Sequence, residues 1–420
     1  MKAKITPSKV SGCVTIPPSK SMAHRAIISA SLAKGTSIID NVDYSKDILA
    51  TIEGMQCLGA KITKEEHRVI IKGIQEFHSH EKEVFCNESG STLRFFIPIF
   101  SLCNQPLTFT GAGRLMQRPQ KVYQDIFHEQ GLPFIQDEQG IHIEQSLKSG
   151  DYTIQGNISS QFISGLLFTL PLLPQDSRIH IIEPFESRSY VDLTLEMLAY
   201  FGVKVSYEDD TTLYIAGNQS YQAKDYRIEG DFSQLAFFAV LAALNHDLNI
   251  LGLRHESRQG DKAILQILRD FGATIEEIED GYHIAKSELH GCDIDLANCP
   301  DLGPILTVLA MYAKGNTTIH NAERLRIKES DRIQAMEDEL HKFGVDISST
   351  EGEIFITGKN QYACMDELSG HNDHRIVMAL TVALLCSTTG GSIEEAQAIH
   401  KSYPSFFEDI KKLHGKVEIQ

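Results

Sequence analysis

The chain has 420 residues, 42% of them hydrophobic and 23% charged, a composition typical of a globular protein whose length favours two domains. Its formal net charge of −17 argues against a nucleic acid or an anionic membrane as a partner, because both need a basic surface. The N-terminus lacks an apolar signal core and the eight scattered cysteines form no CxxC pair, so we expect a cytoplasmic protein without a zinc site or a disulfide framework.

The predicted elements repeat along the chain. A helical pattern closed by a glycine and followed by a β-like run recurs six times, with spacings of 72, 71, 70, 72 and 71 residues obtained by subtracting neighbouring positions, at Gly59, Gly131, Gly202, Gly272, Gly344 and, in a looser copy, Gly415. In the fifth copy Ile333, Met336 and Leu340 fall on one stripe, which predicts an amphipathic helix. A glycine just past the last periodic residue is the expected left-handed cap.

A second helix in each repeat is apolar almost all round and is therefore predicted to be buried. The six runs cover 26–33, 93–103, 162–173, 235–244, 305–313 and 376–386. Each is far shorter than the roughly 20 residues that span a bilayer. Pro98 and Pro171 interrupt two of them.

These patterns predict the α/β fold class, with two similar domains. Each domain is expected to contain three repeated α/β units that bury their apolar helices and turn their sheets to solvent.

Polar and charged residues collect just before the buried helices, in segments 18–25, 88–94, 159–161, 230–233, 300–303 and 372–375. Ser21, Ser91 and Ser233 could each be a simple N-cap. Cations are different, because a lysine or arginine at a helix N-terminus opposes the helix dipole. Lys20, Arg25, Arg94 and Arg375 stand at such positions, and we interpret them as the lining of a site for small, multiply charged anions.

Three further segments stand where amphipathic helices begin and bring more cations: 114–119, 187–190 and 324–332. A run of charges usually lies on a solvated face. Their matching places in the repeat favour a functional role instead.

Several long motifs resemble the EPSP synthase (3-phosphoshikimate 1-carboxyvinyltransferase) family, in the family's order. They are PPSKSMAHRAIISASLAKGTS, GNISSQF, LRIKESDR, HNDHR and KSYP, and the resemblance spans essentially the whole chain. It implies an inverse α/β barrel fold of two three-unit domains, which we place at 15–228 and at 1–14 together with 229–420, with the active site in the cleft between them. It also implies transfer of the enolpyruvyl group of phosphoenolpyruvate to the 5-hydroxyl of shikimate 3-phosphate, with release of phosphate, in the shikimate pathway to chorismate and the aromatic amino acids.

The resemblance assigns residues to each substrate. The positions that match the shikimate 3-phosphate site are Lys20, Ser21, Arg25, Ser159, Ser160, Gln161, Ser187, Tyr190, Asp301 and Lys328. The positions that match the phosphoenolpyruvate site are Lys20, Gly90, Arg118, Gln161, Arg332, His374, Arg375 and Lys401. In the implied addition and elimination, Asp301 takes the hydroxyl proton, while Glu329 or Lys20 protonates the methylene carbon.

No cofactor is expected. His371, Asp373 and His374 could suggest a metal, but their spacing and the neighbouring Arg375 argue against one, so no metal is expected either. The expected partners are the two small-molecule substrates, and the expected state is a monomer.

The chain departs from the family at two positions and keeps one small residue. Glu88 stands where many members have asparagine, and Arg324 where some have asparagine, which bears on affinity and inhibitor response. Gly90 is the small residue associated with glyphosate sensitivity in the family.

Two alternatives remain open. The related transferase that acts on UDP-N-acetylglucosamine usually has Lys-Asn in place of Lys20-Ser21 and a reactive cysteine in the loop that is 111–116 here. A non-catalytic clamp built from six repeats would expose cationic helices on one surface.

Overall fold

The computed structural model describes all 420 residues, and the chain divides into two compact units. Unit 1 comprises Met1–Ser19 and Glu229–Gln420, and unit 2 comprises Lys20–Ile228. The first crossing of the chain thus lies after Ser19 instead of after residue 14, because strand Gly12–Thr15 pairs with Leu248–Leu251 and Pro18 bridges to Gly230, both in unit 1. Unit 2 ends at Ile228, and unit 1 resumes at Glu229.

Twelve α-helices and 24 β-strands make up the two units. The helices are α1 Lys20–Leu32, α2 Lys46–Cys57, α3 Gly90–Ser101, α4 Lys121–Glu129, α5 Ser160–Thr169, α6 Arg188–Tyr200, α7 Phe232–Leu244, α8 Ala263–Asp270, α9 Gly303–Tyr312, α10 Arg332–His341, α11 His374–Cys386 and α12 Phe406–Lys412. The strands are β1 Ala3–Thr6, β2 Gly12–Thr15, β3 Thr36–Asp40, β4 Lys61–Lys64, β5 Arg68–Lys72, β6 Glu83–Phe85, β7 Leu107–Thr110, β8 Phe134–Asp137, β9 Gly140–Ile143, β10 Asp151–Gln155, β11 Ser177–Ile182, β12 Val205–Tyr207, β13 Thr212–Ile215, β14 Tyr226–Arg227, β15 Leu248–Leu251, β16 Thr274–Ile278, β17 Gly281–Ala285, β18 Ile294–Asp295, β19 Gly315–His320, β20 Asp346–Ser349, β21 Ile354–Gly358, β22 Leu368–Ser369, β23 Gly391–Glu394 and β24 Lys416–Ile419.

The strands form six four-stranded sheets, three in each unit, and every sheet has the same pattern of one parallel and two antiparallel pairings. In β10 the second and fourth residues are buried and the others exposed, so one face of this sheet covers the core and the other meets solvent. The predicted fold class and its sixfold repeat are confirmed.

The apolar runs are buried helices, as predicted. Helices α1, α3 and α5 belong to the core of unit 2, and α7, α9 and α11 to the core of unit 1. The two prolines act differently. Helix α3 continues through Pro98, whose carbonyl accepts a hydrogen bond from the Ser101 hydroxyl (2.7 Å). Helix α5 ends at Thr169, and Pro171 lies in the 3-10 turn that follows.

Five of the six repeat glycines have positive φ and end their helices as predicted, among them Gly59 at 100° and Gly344 at 73°. The sixth copy differs. His414 takes the left-handed position with φ of 68°, and Gly415 follows it. No helix combines the length and apolarity needed to cross a membrane.

Candidate active site

Arg332, the first residue of α10, is the centre of a buried cluster in unit 1. Only 2% of its side chain is exposed, and its guanidinium binds Asp373 (Nε to Oδ2, 2.8 Å), Asp301 (Nη1 to Oδ1, 3.1 Å) and Glu329 (Nη2 to Oε2, 2.8 Å). Burial lowers the pKa of Arg332, but these carboxylates outweigh burial and raise it above its ordinary value. Arg332 is therefore a permanent positive charge between two candidate proton-transfer groups.

Asp301, in the turn before α9, is surrounded by cations. Its side chain accepts hydrogen bonds from Lys328 (3.2 Å), Arg332 and Arg375 (3.3 Å), and Arg375 also donates to its main-chain carbonyl (3.0 Å). Burial raises the pKa of Asp301, but the three cations lower it much further, to well below its ordinary value. Burial also lowers the pKa of Lys328. The cluster therefore holds an ionised carboxylate with surplus positive charge around it.

The N-terminus of α11 completes the cluster. Asp373 caps the helix by accepting from the main-chain N–H of Arg375 (2.9 Å). His374 Nδ1 lies 3.2 Å from Glu329 Oε2, and the Lys401 ammonium donates to the carbonyl of Asn372 (2.5 Å). These contacts tie the predicted phosphoenolpyruvate residues of unit 1 to one helix end.

A metal centre is the obvious alternative for part of this cluster, because the side-chain ligand atoms of Glu329, Asp373 and His374 lie within 4.8 Å of one another. The guanidinium of Arg332 already binds both carboxylates. It supplies the positive charge that these carboxylates would otherwise take from a cation.

In unit 2, Arg25 joins α1 to α6 through neutral oxygens. Its guanidinium donates to the Thr194 hydroxyl (2.8 Å) and to the main-chain carbonyls of Ser21 (2.8 Å) and Tyr190 (2.9 Å). Burial lowers the pKa of Arg25 to about 10. A buried cation held by neutral groups favours the binding of an anion.

Arg94 of α3 has the same character. It donates to the Gln161 side chain (2.8 Å) and lies over the Phe162 ring, 4.6 Å from its centroid. Burial, assisted by the charge of Arg118, lowers the pKa of Arg94 to about 9. Gln161 in turn donates to the Ser91 hydroxyl (2.9 Å), so the N-terminal ends of α3 and α5 are linked by side chains.

Gly90 is the first residue of α3, and Arg118 lies close above it. A Cβ at position 90 would be 2.9 Å from Arg118 Nη1 and 3.5 Å from Gln161 Oε1. The absence of a side chain at Gly90 therefore lets the guanidinium of Arg118 approach the helix end.

The serines in these segments have different roles. Ser89 and Ser159 are the N-caps of α3 and α5, whereas Ser21, Ser91 and Ser233 lie inside helices. None of the last three serves as a simple N-cap, which leaves their hydroxyls to other partners. Ser160 begins α5, Ser187 precedes α6 in a left-handed conformation (φ 53°), and Tyr190 lies in the first turn of α6.

The structure gathers the predicted residues into two sets. Unit 2 holds Lys20, Ser21, Arg25, Gly90, Arg118, Ser159, Ser160, Gln161, Ser187 and Tyr190 at or beside the N-terminal ends of α1, α3, α5 and α6. Unit 1 holds Asp301, Lys328, Glu329, Arg332, His374, Arg375 and Lys401.

Sequence reasoning missed several partners of these residues. Asp47 of α2 accepts from Lys20 (2.9 Å), and Thr194 of α6 accepts from Arg25. Asp261 is buried in unit 1, where burial and the charge of Asp301 raise its pKa to about 6. No motif marks these three positions, because Asp47 and Thr194 lie in amphipathic helices and Asp261 lies in a short 3-10 turn.

The two family departures lie in different surroundings. A Cβ at Gly113 would be 2.4 Å from Glu88 Oε2, so Glu88 lies against the loop at 111–116. Arg324 is buried and donates to the carbonyl of Ala297 (2.5 Å), so its side chain holds a neighbouring turn.

The fold and the two clusters define a class of protein: a six-repeat α/β enzyme with buried cations and carboxylates at helix N-termini, suited to small anionic substrates. Within that class the chain belongs to the EPSP synthase (3-phosphoshikimate 1-carboxyvinyltransferase) family, whose model matches residues 5–410. The family resemblance of the motifs is thereby confirmed.

Relatives and solved structures agree with this assignment. The 3-phosphoshikimate 1-carboxyvinyltransferase of Clostridium perfringens is 48% identical over 99% of this chain and 98% of its own length, and that of Clostridium kluyveri is 46% identical over 99% and 97%. The EPSP synthase structure from Acinetobacter baumannii superposes with a TM-score of 0.81 at 26% identity, covering 100% of this chain and 99% of that one. The enolpyruvyl transferase NikO from Streptomyces tendae, at 14% identity and a TM-score of 0.80 over 99% and 98% of the two chains, shares the fold.

Proposed function

We propose that this chain transfers the enolpyruvyl group of phosphoenolpyruvate to the 5-hydroxyl of shikimate 3-phosphate, giving 5-enolpyruvylshikimate 3-phosphate and phosphate. The observation that carries the proposal is the pair of carboxylates, Asp301 and Glu329, held on one buried guanidinium, that of Arg332. Two carboxylates beside several cations are what proton transfer on two polyanions requires.

Unit 2 supplies the cations and hydroxyls for shikimate 3-phosphate. Arg25 and Lys20 lie on α1, and the cap of α5 offers hydroxyls and main-chain N–H groups at a helix N-terminus, which is a favourable place for a phosphate. Ser187 and Tyr190 stand at the start of α6, next to the carbonyl that Arg25 binds. These neighbours support the assignment of the first substrate to unit 2.

The proposed addition step forms a bond between the 5-hydroxyl oxygen and the substituted carbon of phosphoenolpyruvate. Asp301 takes the hydroxyl proton, and Glu329 or Lys20 gives a proton to the methylene carbon. At rest Asp301 is a weak base, because its neighbouring cations hold its pKa low. Anionic groups of phosphoenolpyruvate that bind the same cations would reduce this effect and make Asp301 more basic when both substrates are present.

The proposed elimination step breaks the bond between that carbon and the phosphate oxygen. The group that gave a proton to the methylene carbon takes one back from the new methyl group, the double bond re-forms and phosphate departs. Arg332, Arg375, Lys401 and Arg118 would stabilise the charge on the leaving phosphate. Arg332, Arg375 and Lys401 belong to unit 1, whereas Arg118 and most of the residues proposed for shikimate 3-phosphate belong to unit 2, so the proposed roles are spread over both units. We further propose a cytoplasmic, monomeric enzyme.

Phosphate release tests the proposal. The purified protein is incubated with phosphoenolpyruvate plus shikimate 3-phosphate, with each substrate alone, and with phosphoenolpyruvate plus UDP-N-acetylglucosamine. We expect phosphate only in the first mixture. Release with the UDP-sugar would favour the related transferase, and no release in any mixture would favour a non-catalytic clamp.

A further inference from the structure

The bend before α11 has an unusual backbone. His371 and Asn372 have φ values of 49° and 48°, so two consecutive residues other than glycine adopt the left-handed conformation. Asparagine and histidine tolerate this region better than most residues, but it remains disfavoured. Such a bend persists only where its surroundings hold it.

A buried carboxylate holds the bend. His371 Nε2 lies 3.0 Å from Glu339 Oε1, and the Glu339 side chain is only 2% exposed. The other oxygen of Glu339 accepts from the main-chain N–H of Ser369 (2.9 Å) and from the Lys342 ammonium (2.9 Å). On the far side, the main-chain N–H of Asn372 donates to Glu395 (3.1 Å).

The bend in turn places anion-binding groups. The carbonyl of Asn372 accepts from the Lys401 ammonium (2.5 Å). The next residue, Asp373, binds Arg332 through both oxygens (2.8 and 3.2 Å) and caps α11, on which Arg375 is the second residue. Three cations proposed to hold phosphoenolpyruvate are therefore positioned by the segment that His371 begins.

We infer that His371 is a positioning residue: through its bond to Glu339 it holds the bend at 371–372, and thereby keeps Lys401, Arg332 and Arg375 in place for phosphoenolpyruvate. It acts through these residues and not on the reacting atoms. The inference rests on the proposed function, which supplies the identity of the anion.

The charge of His371 matters because its surroundings are mixed. Glu339 and Asp338 face it from α10, Lys342 binds Glu339 from the residue after α10, and Glu395 faces it from the segment after β23, while Asp373 follows two residues later on its own segment. The hydrogen bond to Glu339 raises the pKa of His371 above its ordinary value of 6.5, although burial opposes this. The charged contact is therefore complete below about pH 6.5 and is lost as the pH rises through the raised pKa.

The test compares two variants with one matched control. His371→Ala removes the bond, and His371→Gln keeps a neutral N–H donor but cannot titrate. His320 pairs with Glu353 at 2.9 Å on the exposed side of a sheet in the same unit, so His320→Gln removes a similar pair away from the cluster.

The KM for phosphoenolpyruvate is measured from pH 5.5 to 9 and expressed at each pH as the ratio of variant to wild type. The effect of substrate ionisation on KM is the same for both proteins and cancels in this ratio. For His371→Ala we expect a ratio of about 10 at low pH with kcat changed much less. For His371→Gln the ratio should start above 1 and approach 1 as the pH rises, and for His320→Gln it should stay near 1.

Ratios near 1 at every pH for His371→Ala overturn the positioning role. If that variant does not fold, ratios near 1 at every pH for His371→Gln overturn the charged contact through which His371 is inferred to act. A loss of kcat with unchanged KM overturns the positioning role as well. A wild-type protein that releases no phosphate overturns the proposed function itself, so the two failures are distinguishable.

Discussion

The buried arginines of the two units differ in what they bind. In unit 1, Arg332 binds three carboxylates, which raise its pKa. In unit 2, Arg25 and Arg94 bind hydroxyl, amide and main-chain oxygens, and burial lowers their pKa values to about 10 and about 9. Helix N-terminal segments of nearly the same type therefore hold an arginine paired with carboxylates in unit 1 and two arginines without a carboxylate partner in unit 2.

This difference suggests a division of labour. A buried cation without a carboxylate gains most when an anion arrives, because the anion replaces solvation that burial removed. A cation with carboxylates gains less from an anion, but it keeps those carboxylates ionised and in place for proton transfer. We therefore expect loss of an arginine without a carboxylate partner in unit 2 to affect substrate affinity, and loss of a proton-transferring carboxylate in unit 1 to affect turnover.

The largest expected effect is on turnover. Asp301→Ala removes the proposed base and leaves three cations without their shared carboxylate, so kcat should fall by about 10²–10⁴-fold while both substrates still bind. Steady-state kinetics and calorimetric titration measure the two effects separately. The exposed Asp270 at the end of α8 offers the control Asp270→Ala, which should behave as wild type. Wild-type turnover by Asp301→Ala would remove Asp301 from the mechanism.

The second effect is on affinity. Arg25→Gln replaces an uncompensated buried cation by a neutral group, so the KM for shikimate 3-phosphate should rise by about 10- to 100-fold with a smaller change in kcat. The control is Arg68→Gln, since Arg68 is half-exposed and pairs with Asp40 on the surface of the same unit. If kcat fell while the KM stayed constant, the division of labour between the units would be wrong.

Much of the fold could be predicted because its signals are local and repeated. Six glycine-terminated helices and six all-apolar runs identify the units without knowledge of any long-range contact. The differences arise where tertiary packing decides. Helix α3 tolerates Pro98 in its buried interior, and the first crossing comes after Ser19 because β2 pairs with a strand more than 230 residues away, from Gly12 to Leu248.

The cations of the site could be predicted, but most of their partners could not. A lysine or arginine at the N-terminus of an apolar helix is locally unfavourable and therefore conspicuous in the sequence. A carboxylate that pairs with such a cation is not conspicuous in the sequence, because an aspartate in a turn is usually exposed. Asp373 and Arg332 are 41 residues apart, and only the fold shows that they are bound to each other.

The third prediction concerns Asp261, a further carboxyl in the cluster of unit 1. Its pKa of about 6 lies above the ordinary 3.8. Between these two pH values the folded state therefore binds more protons than the unfolded state. The free energy of unfolding consequently falls as the pH rises from 3.8 to about 6. Asp261→Asn should therefore raise the free energy of unfolding by about 1–3 kcal/mol above pH 6 and by little near pH 4. Urea unfolding at several pH values measures this. A variant that is less stable at pH 8 would contradict it.

The smallest expected effect tests the close approach of Arg118 to α3. In Gly90→Ala the new Cβ would be 2.9 Å from Arg118 Nη1, the far end of a flexible side chain, so the guanidinium can move aside. We expect the KM for phosphoenolpyruvate to rise about 3- to 10-fold, as for a weakened charge-assisted hydrogen bond. Because alanine is the better helix former, the free energy of unfolding should not fall.

The KM for shikimate 3-phosphate serves as the internal control for Gly90→Ala, because Arg25 and its partners on α1 and α6 are not in contact with Gly90. An equal rise in both KM values would mean that the substitution disturbs unit 2 as a whole. A rise confined to phosphoenolpyruvate would show that the cations of unit 2 serve both substrates, with Arg25 on one and Arg118 on the other. The cations of unit 2 would then be divided between the two anions.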